Sequence, residues 1–179
     1  MGYTLEQFST ECHRILAEDP SVEGRKKVCA LVQDVLKDEN FVSTHLHDGV
    51  PERKILYEDP ELDFCILGHV NQGARESKPH DHGPTWAIYG QATHHTDMIE
   101  WEREDDGSNA AQAKLKPVKK YRLLPGHAGI YQDGTIHSID YPDHSRFVRV
   151  TGTNLDKIKR VRFDLASGKV EQMTPQQAT

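Results

Sequence analysis

The chain reads as a mainly β protein, a sandwich or barrel of jelly-roll topology preceded by two α-helices. Three observations lead there. Apolar residues at helical spacing are confined to residues 4–37. From about residue 53 the period changes, and short β-rich runs follow one another closely. Turn chemistry separates those runs: Glu58-Asp-Pro-Glu61, Asn71-Gln-Gly73, Pro125-Gly126, Asp133-Gly134 and Ser167-Gly168.

Thr4-Leu-Glu-Gln7 has the form of a capping box, and Leu5, Phe8, Cys12, Ile15 and Leu16 follow on one helical face. Pro20 ends that pattern. Ser21 can cap a second helix with an apolar face of Val28, Leu31, Val32, Val35 and Leu36. Both helices are expected to cover a sheet. The strands expected are Arg53–Glu58, Leu62–Val70, Thr85–Ala92, Thr96–Trp101, Leu115–Leu124, Gly129–Gln132, Ile136–Tyr141, Arg146–Gly152 and Ile158–Leu165. Glu104–Lys114 is polar, contains Asp106-Gly107 and reads as a long surface hairpin loop. The 179 residues fit one domain, with a helical segment over 1–40, a β core over 50–166 and a frayed tail over 170–179.

A net charge of −6 argues against a general nucleic-acid binder, which carries a basic face. No apolar run reaches the length of a membrane span. The N-terminus has neither a basic nor an apolar leader region, so a cytoplasmic location is expected. Cys12, Cys29 and Cys65 are odd in number and widely spaced, which fits buried, reduced thiols. There is no phosphate-binding glycine loop, serine-nucleophile signature or Cys-x-x-Cys pair.

The chemistry concentrates at His80-Asp81-His82. In extended chain, residues i and i+2 share a face, so His80 and His82 form half of a metal site. A third imidazole from a distant strand would complete it and leave coordination positions open, as a catalytic metal requires. Asp133-Gly-Thr-Ile-His137 offers such an imidazole. Asp81 points away from the metal in a regular strand and reads as a turn-stabilising group, with Glu76 also flanking the ligands. His45-x-His47 is a second such pair without a recognisable third partner, and His94-His95 read as a hairpin pair in water.

The pattern Gly73-x6-His80-x-His82, then Pro125-Gly126 and Gly134-x2-His137, resembles the two cupin motifs. More closely, His80-Asp-His-Gly-Pro-Thr-Trp86-Ala-Ile-Tyr-Gly90 resembles the cysteine dioxygenase and 3-mercaptopropionate dioxygenase branch, over about residues 25–165. The resemblance implies a double-stranded β-helix barrel, with His80, His82 and His137 as ligands to a mononuclear non-haem Fe(II). Three neutral imidazoles also suit Zn, Ni or Mn. Trp86 and Ala87 stand where a typical cupin has a ligating glutamate, which favours the three-histidine type. Arg53, with Lys54 its neighbour, matches the arginine that grips the substrate carboxylate. Trp86 is assigned to the substrate pocket. Tyr131 is expected to supply a phenol near the iron, and Tyr89 lies on an adjoining strand.

Two departures mark this chain. Ala87 replaces the cysteine that cross-links to tyrosine in the animal enzyme. Phe147, Arg149 and Thr151 replace the Ser-x-His-x-Tyr relay, which removes an acid group and brings in a fixed positive charge at Arg149, able to hold a carboxylate or phosphate. The resemblance therefore implies a dioxygenase that takes O2 and a small anionic substrate, possible thiols included, with Arg53 and Arg149 at its acidic end. A non-oxidative metal-dependent cupin isomerase or lyase and a non-enzymatic ligand-binding cupin are the other expectations. No nucleic-acid or membrane partner is expected, and copies of such barrels pair as homodimers through edge strands.

Overall fold

The computed structural model describes residues 2–173. Helix α1 (Leu5–Glu18) begins at the expected capping box: the Thr4 hydroxyl accepts from Gln7 N at 3.1 Å, and the Gln7 side chain accepts from Thr4 N at 2.9 Å. Helix α2 (Val22–Val35) is capped by Ser21. A third helix, α3 (Glu39–His45), was not expected. Asp38 caps it, but it buries only Phe41, too few apolar positions to show a period.

Among the described residues eleven strands follow: β1 (Arg53–Glu58), β2 (Cys65–Val70), β3 (Arg75–Glu76), β4 (Ala87–Thr93), β5 (Thr96–Arg103), β6 (Leu115–Leu123), β7 (Ala128–Tyr131), β8 (Ile136–Tyr141), β9 (Arg146–Thr151), β10 (Arg160–Phe163) and β11 (Val170–Met173). All pairings are antiparallel, and they nest: β2 with β9, β3 with β8, β4 with β7, β5 with β6. That nesting is one long hairpin rolled upon itself, the jelly roll. It gives one sheet in the order β1-β2-β9-β4-β7 and a facing sheet β3-β8-β5-β6. The molecule is mainly β, as expected.

Alternation within each strand sorts the side chains. On β4, Ile88 faces the helices while Ala87 and Tyr89 face the second sheet; on β9, Val148 and Val150 face the helices while Phe147 faces inward. The helices thus close one core against the outer side of the five-stranded sheet, and a second core lies between the sheets. Gly90 permits the close approach of α2: a Cβ there would sit 2.3 Å from Val32 Cγ1 and 2.6 Å from Leu36 Cδ1.

The end of the chain differs from expectation. Val170–Met173 pairs with β10 rather than fraying, because the Ser167-Gly168 turn returns the chain onto Arg160–Phe163. Residues 174–179 of the expected tail lie outside the described residues. The Glu104–Lys114 loop is also more than a solvated connection: Ala113 N donates to Gly168 O at 2.8 Å, and Ala111 O accepts from Val170 N at 2.9 Å. Among the described residues, no helix is long and apolar enough to cross a membrane. Cys12, Cys29 and Cys65 are buried and free, and burial pushes the thiols up, Cys29 and Cys65 to about 11.

Candidate metal centre

His80 and His82 lie on the segment between β3 and β4, and His137 lies on β8, to which that segment is bridged at His80. Main-chain bonds fix their separation. His80 N donates to His137 O and His137 N donates to His80 O, both at 2.9 Å. On its other side the segment is held by β10: Asp81 N donates to Val161 O at 3.1 Å, and Phe163 N donates to Pro79 O at 2.8 Å. The Asp81 carboxylate accepts from Val161 N (3.0 Å) and Gly83 N (3.1 Å), the turn-stabilising role expected of it.

One ligating atom from each of His80, His82 and His137 lies within 4.8 Å of the others. The rings are buried, His137 completely. Burial disfavours the imidazolium form. It lowers the His80 pKa to about 4, against a partly opposing bond to the Lys78 carbonyl, and holds His82 and His137 well below the usual histidine value. The nearby Arg149 acts in the same sense on all three. His80 Nδ1 lies 3.0 Å from Lys78 O, which leaves its Nε2 free as a neutral donor. His82 Nδ1 and both nitrogens of His137 are buried without partners. Buried polar atoms are ordinarily bonded, so these orphaned, neutral nitrogens fit a divalent cation held by three imidazoles.

Register places the remaining groups. Arg53, His69, Phe147 and Gln91 form one row across the five-stranded sheet; Leu67, Arg149 and Tyr89 form the next. Arg149 is 1% exposed, its Nη1 lies 3.3 Å from the Tyr89 hydroxyl, and no carboxylate pairs with it among the described residues. The same hydroxyl lies 3.2 Å from His82 Nε2. Arg149 is thereby brought against the histidines. Arg53 reaches inward beside His69 and pairs with Asp156 at 3.0 Å, while Lys54 is exposed.

Two expected residues are placed differently. Trp86 is not a pocket residue: it falls on the helix-facing parity of its strand, packs in the outer core and carries Arg25 over its ring at 5.6 Å. Tyr131 has its ring 4.4 Å from that of His137, but its hydroxyl is bonded to the Tyr121 hydroxyl at 2.5 Å. The phenol beside the ligands is that of Tyr89. His45 stacks near Phe41, His47 accepts from Gly49 N, and His94 is an exposed turn residue at φ 57°; none joins the cluster.

Arg160 and His69 were not foreseen as site residues. Arg160 is 3% exposed, and burial, then Arg149, lower its pKa. In Lys157-Ile-Lys-Arg-Val-Arg162 nothing distinguishes the buried cation from its solvated neighbours. His69 stacks on Phe147 at 4.5 Å and is held well below the usual value by burial, then by Arg149 and Arg53. Its signal was present: a lone histidine at inward parity in an apolar strand.

No family model and no curated protein matches the chain. Similar solved structures include KdgF from a Halomonas species, at 20% identity over 59% of this chain and 83% of that one, with a TM-score of 0.41. A cupin-2 domain protein from Shewanella frigidimarina shares 12% identity over 58% of this chain and 82% of that one, TM-score 0.40. Hydroquinone 1,2-dioxygenase PnpCD, solved with Cd2+ and 4-hydroxybenzonitrile, shares 12% identity over 58% and 64%, TM-score 0.41.

Proposed function

We propose that this chain is a cupin-type, mononuclear metal-dependent dioxygenase acting with O2 on a small anionic substrate, thiols among the candidates. The observation that carries the reading is the meeting of three buried, neutral imidazoles, with His82 Nδ1 and both nitrogens of His137 left without partners, and the cation Arg149, which no carboxylate of the described residues pairs. His80, His82 and His137 hold the metal. Bound there, Fe(II) supplies the redox chemistry of oxygen transfer, leaving the protein to bind and orient. Arg149 draws the substrate's anionic end into the interior, and Arg53 completes the grip from the neighbouring row. The Tyr89 hydroxyl, bonded to both His82 and Arg149, fixes the distance between the metal side and the anion side. Burial of the histidines and Arg149 keeps bulk water from them, which strengthens each of these charge interactions.

The test is oxygen uptake by Fe(II)-reconstituted protein against small thiols and non-thiol acids, beside His137→Ala. Uptake with one compound, lost in the variant, is the expected result. Turnover that persists without oxygen or with Zn in place of iron would overturn the dioxygenase reading for a non-oxidative one. Metal binding without turnover of any compound would leave a binding protein.

A further inference from the structure

Three arginines, not two, reach the interior on the side of the histidines. Arg53 comes from β1, Arg149 from β9 and Arg160 from β10. Arg53 lies in the row of the five-stranded sheet next to that of Arg149, and Arg160 adjoins Val161, whose main chain is bonded to Asp81 between His80 and His82. On each of the three, the Nε and Nη2 atoms are buried and without a partner. Those two atoms form the flat side of a guanidinium, which binds two oxygens of an oxyanion at once. Elsewhere among the described residues, only Arg25 Nε and Arg146 Nε are buried guanidinium nitrogens in that condition. Among the described residues, Asp156, bonded to Arg53, is the only carboxylate that pairs with any of the three. In the metal-free protein three positive charges less one negative leave two uncompensated, and Arg149 and Arg160 carry theirs buried, an arrangement a protein does not hold for stability alone.

We infer that this cluster is a receptor for a tetrahedral dianion, so that the substrate carries a phosphonate or phosphate monoester group beside the metal. The inference deepens the reading of the site as the pocket of an enzyme for anionic substrates and rests on it. Geometry separates the candidates. A carboxylate has one oxygen–oxygen edge and can engage one guanidinium side fully. A terminal PO3 group has three such edges, one for each open side of Arg53, Arg149 and Arg160. A sulfonate has the edges but only one charge. The dianion matches both the three faces and the two uncompensated charges, and it gives the orphaned donors the partners they lack.

Calorimetric titration of metal-free protein with inorganic phosphate, methylphosphonate, methanesulfonate, acetate and succinate tests this at mildly alkaline pH. Phosphate and methylphosphonate are expected to bind at least about tenfold more tightly than the other three and to raise Tm. Arg149→Met and Arg160→Met are each expected to weaken phosphate binding at least about tenfold, with Tm in the absence of ligand no lower than that of the parent. Arg53→Met, at a partly exposed position, gives the same readout should either buried variant fail to fold. Succinate or acetate preferred over phosphate, unchanged phosphate binding in the variants, or no anion bound at all would each overturn the inference. Zinc binding measured on parallel samples reports separately on the metal centre. Protein that binds zinc but not phosphate keeps the metalloenzyme and loses the dianion site. Protein that binds phosphate but not zinc keeps the dianion site and loses the metalloenzyme.

Discussion

Four histidines that are buried and neutral make the metal-free fold sensitive to mild acid. The perturbation is a pH change from about 7.5 to about 5, across the ordinary histidine pKa of about 6.5. In the unfolded chain His80 takes up its proton in this interval. In the native protein it does not, because its pKa is about 4. The unfolded state therefore binds more protons, and stability falls as pH falls, beginning near the unfolded pKa and ending near the folded one. His80 alone contributes a loss of about 2 kcal/mol at about pH 5, growing to about 3 kcal/mol below pH 4. His69, His82 and His137 act in the same direction for the same reason, burial. His13 opposes them: its bond to Asp59 raises its pKa, so its contribution grows as pH falls, but the side chain is one-third exposed and the offset is small. Carboxylates with depressed pKa values, such as Asp105 at about 2, lose their contribution only at lower pH. The assay is urea unfolding of chelator-treated protein at the two pH values, followed by circular dichroism and fluorescence. Against a usual domain stability of about 5–15 kcal/mol, a loss above about 2 kcal/mol is readily resolved. Zinc-loaded protein is expected to lose much less, since the cation occupies the nitrogens that protons would seek. A loss below about 1 kcal/mol in the metal-free protein, with an unchanged m-value, would refute the reasoning and mean that the rings titrate as in water.

Three further outcomes are expected. Asp81→Ala removes the acceptor for Val161 N and Gly83 N, so zinc affinity measured by chelator competition should drop about 10–100-fold with the fold retained. Tyr89→Phe should change the visible spectrum of the Co(II)-substituted protein, whereas Tyr131→Phe, whose hydroxyl serves Tyr121, should leave it unchanged. Gly90→Ala forces a methyl group into Val32 and Leu36 and should cost about 1–3 kcal/mol in chemical denaturation, without altering metal stoichiometry.

The architecture was legible because both signals were local. The capping box at Thr4–Gln7 and the apolar face behind it state a helix in their own residues, and β1 and β8 match their expected bounds. The histidine set was legible through spacing and resemblance, and the structure gathers all three. What failed was parity and reach. Trp86 and Tyr89 lie three residues apart on one run, and no local feature says which of them faces the metal; the sheet they join decides it. Arg160 cannot be separated from Arg162 by parity, since the two share a face of β10 and differ only in how deeply the surrounding chain covers them. Arg160 is buried, while Arg162 pairs with Glu171 across the ribbon. The sequence shows Tyr131 on its strand, but its hydroxyl answers to Tyr121 on β6, a partner no motif announces.

The latch of β10 on the ligand segment has a consequence for how the chain comes to be made. Val161 N donates to a carboxylate eighty positions upstream, and His137 bonds main chain to main chain with His80. A nascent chain that has exposed His80 and His82 holds two imidazoles on a segment with nothing to brace it. The third arrives much later, and the brace later still. Metal acquisition thus belongs to the finished molecule rather than to the growing one, and an ion captured early by the histidine pair alone would be loosely held and free to exchange. The order of the residues along the chain acts as a timetable, delaying commitment to a metal until the compartment that will select it is complete.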